Sequence, residues 1–92
     1  MALLSDAQIK QALPKLSGWA QNDKAIERNF EFADFKAAMV FVNKIADVAE
    51  QANHHPDIDI RYNKVKLSLV SHDSGGVTDR DVRMAERINQ AV

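Results

Sequence analysis

Val65, Leu67 and Leu69 alternate with Lys66, Ser68 and Val70, and that period of two constrains the fold more than any other feature. A strand patterned this way has one side that must be covered and one that need not be. The cover has to come from the same 92-residue chain, which has room for one core and no second. It is at hand in the segment from about Phe35 to Ala52, which has helical spacing and Asp34 placed to cap it. Strand pairs stand on both sides of this helix. Before it, "GWAQNDKAIERNFEF" reads as strands at about Trp19–Gln21 and Ala25–Phe32 around an Asn22-Asp23 turn, with Arg28 interrupting the alternation. After it, "IDIRYNKVKLSLVS" reads as strands at about Ile58–Tyr62 and Val65–Ser71 around Asn63-Lys64.

Helices close both ends. Ser5 with Gln8 forms a capping box ahead of Ile9, Ala12 and Leu13, and Pro14 ends or distorts that short helix. Thr78 with Asp81 forms a second box ahead of Val82, Ala85 and Ile88, after a loop in which Gly75-Gly76 gives the backbone freedom. The order α-β-β-α-β-β-α predicts an α+β fold: a four-stranded, mostly antiparallel sheet with helices packed on one face, as one domain spanning 1–92. An open sheet face and two free edges hint at self-association. In the long helix, Phe35, Ala38, Met39, Val42, Ala46 and Ala49 make a core stripe, and Phe41, Ile45, Val48 and Ala52 a second apolar line. The second line is either a wide core contact or an oligomer interface.

Composition excludes several functions. Twelve basic and thirteen acidic residues leave a net charge of −1, so nothing global favours nucleic acid as a direct ligand. With no cysteine there are no disulfides and no thiolate metal ligands. No stretch approaches the ~18 apolar residues of a membrane span, and the first residues lack the basic start of a signal peptide. A cytoplasmic protein is expected.

All three histidines fall between Asn53 and Asp73. His54 and His55 follow the long helix directly, and Pro56 holds His55 extended on a stiff corner. His72 ends the second strand of the hairpin that starts just after Pro56, so folding the hairpin back brings His72 towards the pair. Three imidazoles at one sheet end suit acid/base chemistry near neutral pH. A three-histidine zinc site is the alternative, although adjacent side chains diverge. Neither Ser71 nor Ser74 has the glycine-flanked setting of an activated nucleophile. Glu50, four residues before His54, is spaced to meet it, or is an ordinary solvated helix residue. Asp81 could reach the site, but its capping role suffices to explain it. Trp19 and Tyr62 read as core or rim, and no lysine follows the glycine pair at phosphate-loop spacing.

Glu50, His54-His55-Pro56, Tyr62-Asn63-Lys64-Val65, Ser71-His72, Gly76, Thr78 and Arg80-Asp81, taken together, resemble the signature of the pterin-4a-carbinolamine dehydratases. The resemblance extends through the "GW" strand and long helix to nearly the whole chain. It implies dehydration of 4a-hydroxytetrahydropterin to quinonoid dihydropterin, recycling the cofactor of aromatic amino-acid hydroxylases, by a homodimer or homotetramer that needs no metal or organic cofactor. It makes His54, His55 and His72 catalytic, with Pro56, Ser71, Asp73 and Ser74 also bordering the pterin. Losing water requires protonating the C4a hydroxyl and removing the N5 proton; His54 and His72 are assigned to proton transfer and His55 to orienting the pterin. Ile58 stands where the family often has an aromatic residue, and Ser71 where threonine is common. The first change alters the pocket wall, and the second keeps a hydroxyl. Family members in animals also serve as a dimerisation cofactor for a homeodomain transcription factor, so a non-catalytic or pterin-binding role is the rival reading. A metal-dependent hydrolase is the third.

Overall fold

A computed structural model describes residues 2–92. Helix α1 (Asp6–Ala12) opens on the expected capping box: the Ser5 hydroxyl accepts from the Gln8 N–H, and the Gln8 side chain accepts from the Ser5 N–H. Pro14 tightens the chain into a 3-10 turn over Leu13–Lys15, because proline cannot donate to a continuing α-helix. Strands β1 (Ala20–Asn22) and β2 (Ala25–Glu31) lead to helix α2 (Phe35–Ala52), capped by Asp34, whose carboxylate accepts from the Ala37 N–H at 2.8 Å. Strands β3 (Asp57–Arg61) and β4 (Lys64–Leu69) follow, and then helix α3 (Asp79–Ala91) with its Thr78–Asp81 box.

The four strands pair antiparallel in the order β1-β2-β4-β3. The hairpin turns fall one residue earlier or later than expected. β1 and β2 turn at Asp23-Lys24, and β3 and β4 at Tyr62-Asn63. Asp23 and Tyr62 take left-handed φ values of 54° and 53°. Asn63 fixes the second turn, because its side-chain amide donates to the Phe32 carbonyl while its own carbonyl accepts from the Phe32 N–H.

Pairing Ile26 with Leu69, Arg28 with Leu67 and Phe30 with Val65 turns those residues to the helix side. There Leu16, Ile26, Ile45, Leu67, Leu69, Met84 and Ile88 are fully buried. Arg28, the misfit in the alternation, lays its guanidinium 4.4 Å from the centroid of the Phe30 ring and donates to Asn89 of α3 at 2.6 Å. Asn89 also accepts from the Trp19 indole, so one amide ties the residue leading into β1, strand β2 and helix α3 together. Gly18 makes room for Arg28: at φ 87°, a Cβ there would lie 2.6 Å from the Arg28 Nε.

Helix α2 is rotated relative to expectation. Ala38, Phe41, Ile45 and Ala49 are buried, whereas Phe35 is 50% exposed, Val40 66% exposed, and Ala46 also faces out. The core line thus takes Ala38 and Ala49 from the first stripe and Phe41 and Ile45 from the second, the wide core contact of the two readings, and Phe41 and Ile45 are not free to bind a partner. Both stripes satisfy helical spacing; the selection comes from Phe41, whose ring lies 4.6 Å from Phe30 and 5.0 Å from Phe32. In α3 the inward residues are Met84, Ala85 and Ile88, with Val82 only partly covered. The opposite sheet face is polar, pairing Glu27, Asn29 and Glu31 with Ser68, Lys66 and Lys64, which in turn face Asp57, Asp59 and Arg61. No helix among the described residues is long and apolar enough to cross a membrane.

Candidate active site

The site is built where α2 stops. Asn53 takes a left-handed conformation, φ 50°, and the His54 N–H returns to the Ala49 carbonyl, the arrangement that ends many helices. Pro56 keeps the residue before it extended, so side chains alternate from there. His54 and Pro56 turn inward, and His55 and Asp57 turn out.

His54 meets a buried acid. Its Nε2 lies 2.5 Å from Oδ1 of Asp81, with side-chain exposures of 11% and 0%. The second oxygen of Asp81 accepts from the Thr78 N–H at 2.8 Å and from the Ser71 hydroxyl at 2.9 Å. Ser71 has one hydroxyl proton and gives it to the carboxylate, so the Thr78 hydroxyl donates across the 2.7 Å gap to Ser71. The proton direction thus runs from Thr78 to Ser71 to Asp81. An ionised carboxylate fixed by these donors takes the Nε2–H of His54, and Nδ1 is left as the ring's acceptor. Asp81 therefore caps α3 with one oxygen and orients His54 with the other; the capping explanation was true and incomplete.

Glu50 does not meet His54. Its Oε2 lies 2.5 Å from Nε2 of His55, in a surface pair with side chains 77% and 56% exposed. The left-handed turn at Asn53 breaks the helical four-residue spacing and brings His55, five residues on, to the position His54 would have held. His72 is exposed, and among the described residues it joins no hydrogen bond or ion pair. It lines a depression of about 410 Å³ on the polar sheet face with Asp57, Glu27 and Ser68. By strand alternation Ser71 points to the helix side and His72 to the polar side, which is also the side of His55 and Asp57. His54 instead lines a groove between α2 and α3. The structure thus joins His54, Asp81, Ser71 and Thr78 by direct bonds, and sets His55 and His72 on the outer side of the same sheet end.

Pro56 is buried behind the histidine corner. Asp73 and Ser74 form the loop rim: Arg80 donates to Asp73 at 2.5 Å, and the Ser74 hydroxyl donates to Asp73 at 3.3 Å. The hydrogen bond from Arg80, more than any other influence, holds the Asp73 carboxyl below the usual carboxylate range. Asp57 is a contributor that sequence reading missed; Thr78 and Arg80 stand in the signature that carries the family resemblance but were not read as site residues, and the Thr78–Asp81 box pointed to capping. Among the described residues no three His, Asp or Glu side chains are grouped to hold a metal ion.

The sequence reading expected all three imidazoles to meet; instead one faces inward against a buried carboxylate and two face outward at the same sheet end. Comparison with known proteins identifies the family. Residues 2–91 match the family model described as pterin 4 alpha carbinolamine dehydratase. The pterin-4-alpha-carbinolamine dehydratase homologue of Koribacter versatilis is 60% identical over 95% of this chain and 93% of its own. That of Acidobacterium capsulatum is 54% identical over 96% of both chains. The crystal structure of a transcriptional coactivator/pterin dehydratase from Brucella melitensis superposes with a TM-score of 0.89 at 38% identity, covering 96% of each chain. A pterin dehydratase-like RuBisCO assembly factor of the alpha-carboxysome, 16% identical, shares the fold at a TM-score of 0.64 over 79% of this chain and 84% of its own. By its fold, its histidine corner and its near-complete match to these relatives, the chain belongs to the pterin-4a-carbinolamine dehydratase family.

Proposed function

We propose that residues 1–92 act as one domain that dehydrates 4a-hydroxytetrahydropterin to quinonoid dihydropterin. The C4a–O bond breaks, the hydroxyl leaves as water after taking a proton, N5 gives up its proton, and a C4a=N5 double bond forms. His54 and His72 carry the two proton transfers, and His55 orients the ring. The observation that supports this most is the buried Asp81 on His54 Nε2. It commits one ring nitrogen to the protein and leaves the other to exchange a proton with a ligand. Among the described residues His72 joins no hydrogen bond or ion pair and stands with His55 on the outer side of the sheet end, and His55 is steadied by Glu50. Each well-placed acid or base contributes about 10²–10⁴-fold. Stopped-flow dehydration by the purified protein tests the assignment: His54→Ala and His72→Ala should each lose activity on that scale, and near-wild-type turnover in both refutes it. Activity that a chelator abolishes would instead favour the metal-dependent reading.

The same reading makes the protein a cytoplasmic homodimer or homotetramer that recycles the pterin of an aromatic amino-acid hydroxylase. Ile58 and Ile60 on the outer strand β3, each 37% exposed, and Phe35 and Val40 on α2 are apolar surface that a second copy would cover. A non-catalytic partner role would use the same Phe35 and Val40 surface and would leave the dehydration assay blank.

A further inference from the structure

The groove that His54 lines has more positive charge than the dehydration needs. It lies between the end of α2 and one face of α3, encloses about 340 Å³, and its walls include Gln51, His54, Arg80, Arg83, Met84 and Arg87. Residues 80, 83, 84 and 87 follow the spacing that places them on one helix face, and Arg80 and Arg87 lie about 10 Å apart along the axis. No carboxylate among the described residues lines the groove. Arg80 and Arg83 pair with Asp73 and Asp79 from outside it, at 2.5 and 2.7 Å. Among the described residues Arg87 has only the neutral Gln51 side chain, at 3.2 Å. The buried Arg80 Nε has no acceptor among the described residues, while the Arg80 side chain as a whole is 33% exposed. The carbonyl end of α2 supplies about half a negative charge, less than three guanidiniums bring. Exposed ion pairs such as that of Arg83 contribute little and exchange readily with a better acceptor.

The chain as a whole carries a charge of −1, so this basic strip is local. A concave volume of this size fits a small molecule rather than a nucleic acid or protein surface. Planar guanidiniums grip phosphate oxygens two at a time. We propose that this groove binds a phosphomonoester, held by Arg80, Arg83 and Arg87, with its other end towards His54. The phosphate is carried either on the side chain of the pterin itself or on a separate small molecule. The proposal goes beyond the dehydration reading and shares with it His54 and, through the loop rim, Arg80; Arg83 and Arg87 have no part in that reading.

The test follows the arginine Nε–H signals of the full chain by NMR during titration with inorganic phosphate. Saturable shifts are expected, weakened about 10- to 100-fold in Arg83→Gln/Arg87→Gln, the loss of two charge-assisted bonds. Arg83→Lys/Arg87→Lys keeps the charge without the fork and should fall between. Both positions are on the exposed side of α3, and a wild-type-like amide spectrum checks that the fold is kept. A lack of saturation, or equal affinity in wild type and glutamine variant, overturns the proposal. A pterin with a phosphorylated side chain is then compared with its unphosphorylated form. Binding of the phosphorylated form about tenfold tighter, with the arginine signals moving, assigns the phosphate to the pterin. Equal pterin affinities, with inorganic phosphate still moving those signals, assign it to a separate molecule. Failure of dehydration leaves the phosphate titration unchanged, so the two readings fail separately.

Discussion

Asp81 shows how one side chain can have a sufficient structural explanation and still serve the site. It is fully buried, and each oxygen has its own partners. Asp81→Asn separates the roles. The amide oxygen can still accept from Thr78 and Ser71, but the amide N–H₂ then faces His54 Nε2 and drives the ring to its other tautomer. Dehydration should fall by about 10²–10⁴-fold, and ¹⁵N NMR should find the imidazole proton moved to Nδ1. Loss of the charge should cost about 1–3 kcal/mol in urea unfolding. Wild-type tautomer and activity in the variant would reduce Asp81 to a cap. Asp73 tests the loop rim. Its folded-state carboxyl titrates below the unfolded one because Arg80 donates to it. The stabilisation is therefore present above the ordinary carboxylate pKa and is lost as pH falls through the lowered one. A carboxyl NMR titration should give a midpoint below the usual aspartate range, returning to it in Arg80→Ala.

At the scale of elements, helix α2 chose between two apolar stripes of equal periodicity. The Phe41 ring, tilted against the stacked Phe30 and Phe32, settles that Phe41 and Ile45 meet the sheet. Ile45→Ala should therefore cost about 2–5 kcal/mol, as large-to-small changes in packed cores do. Phe35→Ala, at a half-exposed ring, should cost much less in dilute protein. Paired urea unfolding curves check both, and a reversed order would restore the stripe read from spacing alone. The end of the same helix redirects Glu50 from His54 to His55, because one left-handed residue, Asn53, rotates everything after it.

For the whole molecule, the polar sheet face and the apolar outer edge differ in what they ask of solvent. Glu27, Lys64, Lys66 and Asp59 are content in water, whereas Ile58 and Ile60 beside an unpaired strand edge are not. Sedimentation of the wild type should therefore give a species heavier than the 10.3 kDa chain, and Ile60→Lys should shift it towards that mass. A wild type that runs as a monomer removes the oligomer reading.

The sequence alone determined what local physics decides. Caps at Ser5, Asp34 and Thr78, the period-two strands and the long helix each depend on hydrogen bonds or alternation within a few residues. With them came the antiparallel order and three histidines at one end. Tertiary structure decided whatever needed two distant elements to meet. The phase of α2, the 27-residue reach from His54 to Asp81, the parting of His54 from His72 across the sheet end, and the arginine groove between α2 and α3 all belong here. Periodicity says that a face is buried; only packing says against what.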